Sequence, residues 1–297
     1  MDEITARYGR SVFADALRAR MRPAVAFAFA DGGSSRSRFG GAPRLPPEFA
    51  WPLHVPEVVQ FPPTALERLG LTQPEQPSGP QPLDFLLQID LAELHGLGGA
   101  LPVPSCGLLT FFYDVETQPW GYDPAYQSGF CVALFEQDVL LDRQPPRPAP
   151  FEARGLRFWG ARTLPHVGSR AYDEMDADDD IPEDYEEFAS EFECRGYPAH
   201  GGLHRLGGHS ANVQGDMQLE AQLVSHGLYC GDSSGYSDPR AATLEAEAAE
   251  WVLLLQLDTD EHVGMMWGDA GMLYFWIRHS DLVAKRFDRC WMTLQCG

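Results

Sequence analysis

Basic residues are scarce in this chain: lysine and arginine number 22 against 43 aspartates and glutamates, a formal net charge of −21. A nucleic-acid binder needs a positive surface to displace phosphate counterions, so that class of ligand is excluded as an expectation. The same field disfavours an anionic membrane and favours a basic protein partner, besides keeping the protein soluble. Long apolar runs are also missing. Nothing approaches the roughly 18 consecutive apolar residues of a membrane span, and the run 24–30 is too short and wrongly flanked for a secretory leader. The cytoplasm is therefore the expected location. The six cysteines, Cys106, Cys131, Cys194, Cys230, Cys290 and Cys296, form no C-x-x-C pair. In a chain of this length that argues against a disulfide framework and predicts reduced, mostly buried thiols.

Signatures of catalysis are missing as well. There is no Gly-x-Ser-x-Gly elbow, no cysteine-protease signature, no P-loop and no dinucleotide fingerprint. No catalytic residue and no cofactor is assigned. Cys194, His200, His204 and His209, with His226 and Cys230 nearby, lack the spacing of a structural zinc site. Asp176, Asp178, Asp180 and Glu187 match positions 1, 3, 5 and 12 of a calcium loop, but Ile181 stands where the sharp turn needs glycine. No metal is expected. Asp216 and Asp269 each follow a glycine beside Met217 or Trp267; they fit turn residues better than acid–base groups.

What is present is a globular complement of apolar residues, 44% of the chain, enough for a sizeable core. Helical spacing of Ile4, Tyr8, Val12, Ala16 and Leu17 predicts an amphipathic helix over 3–20, capped by Asp2 and ended by Pro23. Residues 24–30, 83–89, 108–113, 130–135, 156–159, 251–257 and 272–277 read as strands, and 239–250 as a helix opened by Pro239. Residues 32–41, the proline-rich stretches 43–63 and 74–82, the segment 142–150, and the glycine-rich stretch after Gly196 read as loops. Residues 173–193 hold 12 acidic residues and no basic one. Tyr185, Phe188 and Phe192 lie three and four apart there, which predicts an apolar stripe on an acidic helix and a candidate partner-binding face.

Three matches in the same order link the two halves. Arg38-Phe39-Gly40-Gly41 resembles Arg205-Leu206-Gly207-Gly208; Phe85–Asp90 resembles Leu253–Asp258; Gly107–Phe112 resembles Gly271–Trp276. Gly40 and Gly207 are 167 residues apart, Gln88 and Gln256 are 168, Gly107 and Gly271 are 164. Near-constant offsets predict a duplicated unit, far longer than a solenoid repeat. The expected architecture is α+β: a first unit over 1–150 with the N-terminal helix, and a second over 151–297 with the acidic segment. The two have mixed or mainly antiparallel sheets, are related by a pseudo-twofold, and form one compact body. A groove between them is a place for a ligand. Its candidate contacts are Arg38, Gly40, Gly41, Gln88, Arg205, Gly207, Gly208, Gln214, Asp216, Gln256 and Asp269. Gln88 and Gln256 either tie loops to the sheet or point into that groove. The Arg-x-Gly-Gly turns either cradle an anion or use the glycines for positive φ.

Several stretches together resemble the YwqG-like family, also called domain of unknown function 1963: Ser37–Pro43 with Leu45-Pro46, Phe85–Leu91, His204–Met217 and Leu253–Ile277. Gln214-Gly215-Asp216-Met217 followed by Leu255-Gln256-Leu257-Asp258 is the most specific part. The chain departs from the family pattern at His209-Ser210. The resemblance implies a bacterial cytoplasmic α+β protein, and an accessory or immunity role beside contact-dependent toxin systems. It supplies no catalytic residue. The leading expectation is thus a protein-binding factor for a basic partner; the alternative is an enzyme or small-ligand binder using the groove.

Overall fold

The apolar segments become strands of one sheet. In the computed structural model, which describes residues 3–31, 35–56, 79–99, 101–136, 140–176, 181–198 and 202–297, the strands are β1 (Arg22–Ala30), β2 (Arg38–Phe39), β3 (Arg44–Leu45), β4 (Leu53–His54), β5 (Gln81–Pro82), β6 (Asp84–Asp90), β7 (Leu108–Tyr113), β8 (Phe130–Phe135), β9 (Leu141–Asp142), β10 (Arg154–Thr163), β11 (Arg205–Gly207), β12 (Trp251–Asp258), β13 (Met272–Arg278) and β14 (Trp291–Gln295). Ten of them form a sheet in the order β14-β13-β12-β11-β1-β10-β2-β6-β7-β8, and β3–β9 and β4–β5 form two short ladders. The named pairings are antiparallel. The fold is therefore α+β with mainly antiparallel sheet.

β1 and β10 pair along nine positions at the centre. Outward from β1 run β11, β12, β13 and β14; outward from β10 run β2, β6, β7 and β8. Arg38 stands opposite Gln88, and Arg205 opposite Gln256. Each long strand carries a bulge at the same place, between Phe85 and Leu87 in β6 and between Leu253 and Leu255 in β12. The two wings of the sheet meet across a shared core: the rings of Phe111 in β7 and Phe275 in β13 are 5.1 Å apart, and Phe130 packs on Trp291. Burial of such side chains contributes about 1.5–3 kcal/mol each.

A second cluster packs helices together: Ile4, Phe13 and Leu17 from the N-terminal segment bury against Met175, Tyr185 and Phe188. The N-terminal segment is two helices, Glu3–Tyr8 and Val12–Arg20, not the single helix its periodicity predicts. Gly9 adopts φ +66° and ends the first; the Ser11 hydroxyl accepts from Ala14 N and starts the second. Asp2, the expected cap, lies outside the described residues. Likewise 239–250 is one short helix, Ala241–Leu244, tightening into a 3₁₀ turn, Glu245–Glu250, because the chain enters β12 at the next residue. Stretches read as loop contain strands, β2 and β11 in the large sheet and β3, β4 and β5 in the short ladders, whose pairing is supplied by distant neighbours. All six cysteines are free; three are buried, Cys131 is partly buried, and Cys106 and Cys194 are exposed. No helix among the described residues is long and apolar enough to cross a membrane.

Candidate functional site

The Arg-x-Gly-Gly motif builds the same corner twice. Gly40 and Gly41, and Gly207 and Gly208, all sit at positive φ. At Gly40 a Cβ would come within 2.5 Å of the Glu152 carbonyl, so the close approach also demands glycine. The arginine then clips the corner from behind: Arg38 Nη1 donates to the Ala42 carbonyl at 2.9 Å, and Arg205 Nε to the His209 carbonyl at 3.0 Å. Each guanidinium also meets a carboxylate. Arg38 pairs with exposed Asp142 at 2.8 Å, while Arg205 pairs with Glu193 at 3.3 Å, both buried.

The glutamines fasten the chain beyond each corner. Gln88 Oε1 accepts from Arg44 N at 2.9 Å and its Nε2 donates to Arg44 O at 2.7 Å and to Thr110 Oγ1. Gln256 Oε1 accepts from Ala211 N at 2.9 Å and its Nε2 donates to Leu203 O at 2.7 Å. The Tyr274 hydroxyl takes over the Ala211 carbonyl. Both amides are buried, and apart from the Thr110 hydroxyl their partners are backbone groups.

A cradle for an anion does exist just before the first corner, and the protein fills it itself. The Glu93 carboxylate accepts from Ser35 Oγ, Arg36 N, Ser37 N and Ser37 Oγ at 2.6–3.1 Å. Burial works to raise the Glu93 carboxyl, but these donors outweigh it and hold it below its usual range.

The other candidate contacts are distributed over separate turns. Gln214 is exposed, with its Nε2 donating to Cys296 O. Asp216 caps the Met217–Val224 helix by accepting from Gln218 N, and burial raises its carboxyl. Asp269 is exposed in the turn before β13. His204 is buried against Phe27; its Nδ1 accepts from Asp258 N and its Nε2 faces Asp260 at 3.4 Å, so Nε2 carries the proton. His209 is buried, bonded to Arg20 O, and pushed down to about 4 by desolvation. His200, Asp178 and Asp180 lie outside the described residues.

The acidic helix spans Tyr185–Cys194. Tyr185 and Phe188 are buried and Phe192 is half-buried, all packed against the N-terminal helices. Tyr185 also donates its hydroxyl to Pro165 O at 2.6 Å. The aromatic stripe therefore anchors the helix, and the surface it leaves outward carries Glu186, Glu187 and Glu191, with exposed Glu183 in the turn just before it.

Two clefts flank the central strands. One, of about 260 Å³, lies beside β1 and β11; Val25 and Leu206 meet Leu91, Leu94, Leu101 and Val103 there. The other, of about 380 Å³, lies beside β1 and β10 and is charged, with Asp31, Arg154, Arg157, Asp260 and His262 around Phe29. Short 3₁₀ turns following the two Gln-x-Asp strands, Leu91–Leu94 and Glu261–Val263, form one wall of each. The first suits a small apolar group and the second a polar one. None of the motif arginines or glutamines lines either cleft. The wall residues carry a faint signal, acidic caps (Asp90 and Asp260) ahead of short turns, which periodicity does not detect.

The profile described as domain of unknown function (DUF1963) matches residues 37–296. The chain belongs to the YwqG-like, or DUF1963, family. Both corners and both glutamine-bearing strands fall inside the matched span, so they are features of the DUF1963 region of this chain; the N-terminal helices and β1, which lends Val25 to one central cleft and Phe29 to the other, precede it. No curated protein matches this DUF1963 chain.

Proposed function

We propose that the protein is a cytoplasmic protein-binding factor, of the bacterial accessory or immunity kind, that engages a basic partner. The observation that carries this reading is the disposition of charge. The chain has twice as many acidic as basic residues. Arg38, Arg147, Arg154 and Arg205 are each engaged by the protein's own carboxylates. Glu183 and Glu186 have no cationic partner among the described residues; Glu186 stands on the first turn of a helix fixed by its buried aromatic side, and Glu183 in the turn just before it. Such a surface steers a positive partner and raises its association rate at low salt.

The duplication reading belongs here too. Two ancestral units, residues 1–150 and 151–297, would be related by a pseudo-twofold passing between β1 and β10. Its support is the mirrored strand order, the equivalent bulges and the repeated arginine clip. The alternative activity, small-ligand binding or an enzyme, draws its support from the two clefts beside the central strands.

The test is partner capture from a bacterial lysate, quantified by mass spectrometry, for the wild type and for a Glu183→Lys, Glu186→Lys double variant. Deleting the helix would strip Tyr185 and Phe188 from the core, so reversal of outward charge is the informative change. The expected result is a basic partner that elutes with salt and is lost from the variant. Identical partner sets would remove the acidic helix from the account.

A further inference from the structure

A third cleft, of about 210 Å³, opens beside the ends of β12, β13 and β14, lined by Trp251, Arg278, Arg289, Trp291 and His226. Arg278 stands out among the cations of this acidic protein. Its guanidinium lies over the Trp251 ring, 5.1 Å from the centroid. Its Nη2 donates to the Gln222 side-chain oxygen at 3.0 Å and faces the His226 ring at 3.4–3.5 Å. His226 Nδ1 lies 2.7 Å from the Gln222 carbonyl and donates to it, so Nε2 presents a lone pair to the arginine. No carboxylate reaches Arg278 among the described residues, and its Nε is buried with no hydrogen-bond partner there.

The carboxylates of the cleft are otherwise engaged. Asp288 pairs with Arg286 at 2.8 Å, and Asp281 lies 3.9 Å from Arg289. That leaves the Arg278 positive charge uncompensated at the wall of a small cavity. A planar guanidinium stacked on an indole is pre-organised to present its donors to an oxyanion, and a cavity of this size admits only a small one.

We propose that this cleft binds a small oxyanion, a phosphate or carboxylate group, with Arg278 as the principal contact and Arg289 as the second. The site is separate from the acidic helix and stands whether or not a basic partner binds there. The aromatic wall supplies its own reporter, since Trp251 and Trp291 both line the cleft.

The experiment titrates the full chain with sodium phosphate and, separately, sodium acetate, against sodium chloride at matched ionic strength. Tryptophan fluorescence and calorimetry are the readouts. A saturable response to phosphate or acetate beyond that of chloride is expected. Response to phosphate alone assigns a phosphate-bearing ligand, and response to acetate a carboxylate. Arg278→Gln should weaken binding about tenfold or more, and Arg278→Lys, which keeps the charge but loses the fork, should weaken it less. Circular dichroism confirms that both variants fold, and the lysine variant keeps the test alive if the glutamine one does not. No saturable response to either anion, or unchanged affinity in folded Arg278→Gln and Arg278→Lys, overturns the proposal.

Discussion

The two Arg-x-Gly-Gly corners share a backbone and differ in what surrounds it. In the first, Arg38 is partly exposed and its partner Asp142 mostly so; in the second, Arg205 and Glu193 are both sealed from water. The first corner has Ala42 where the second has His209, the buried histidine bonded to Arg20 O. One turn geometry thus tolerates opposite electrostatic settings. The carbonyl clip and the glycine pair define the corner, and the carboxylate is a local addition. An ion pair at the surface adds little, whereas a buried one becomes indispensable once formed, because either partner alone is a desolvated charge.

The largest expected effect breaks the comparison open. Glu193→Ala leaves Arg205 buried without its carboxylate and should destabilise by about 3–5 kcal/mol in urea unfolding. Asp142→Ala should cost under about 1 kcal/mol. Equal costs would mean that burial does not separate the corners. Next comes pH. His209 has a folded pKa lowered to about 4 from 6.5, so it is neutral in the folded state. Its contribution is fully present above pH 6.5 and is lost as pH falls to about 4, by up to roughly 3 kcal/mol. Glu220, pushed up to about 7 mainly by burial, acts oppositely: its contribution is lost as pH rises from 4.5 to about 7. The readout is therefore the difference in stability between wild type and His209→Gln, which should shrink below pH 6.5. The first corner, with alanine there, offers no such term. Most symmetrical are the glutamines: Gln88→Ala and Gln256→Ala each orphan two backbone groups and should cost about 2 kcal/mol apiece in thermal or denaturant melts. Markedly unequal values would show that Thr110 and Tyr274 compensate differently behind them.

Much of the sheet was legible because its strands are apolar enough to be read locally. Leu108–Tyr113 and Phe130–Phe135 match their predicted bounds, β12 and β13 run one residue further at their C-terminal ends, and β6 is shifted by one residue at both ends. Arg205–Gly207 could not be read that way: an arginine and a glycine carry no strand preference, and the strand exists because β1 and β12 flank it. The helix after Asp216 had a usable signal, a cap residue followed by Met-Gln-Leu-Glu-Ala-Gln-Leu, all strong helix formers. Reading Asp216 beside its glycine as a turn or acid–base group hid it. The acidic stripe was correctly spaced for a helix, but spacing does not say which side faces inward; the N-terminal helices decide that. The clefts depend on residues brought together from across the chain, and the Arg278 cleft leaves no local pattern at all.

The place of β1 has a consequence for how the chain is made. Arg22–Ala30 is made before both of its neighbours, yet it is the middle of the sheet, and the Arg22 carbonyl waits for a hydroxyl 141 residues later, on Thr163. β11, its other neighbour, is later still. Until both arrive, a strand whose last seven residues are all alanine, valine or phenylalanine has two open edges, ready to recruit an extended chain nearby. Assembly of the sheet's centre is governed by distant contacts, the kind that slow folding. Nascent forms of this protein should lean on a holdase far more than their finished stability would suggest.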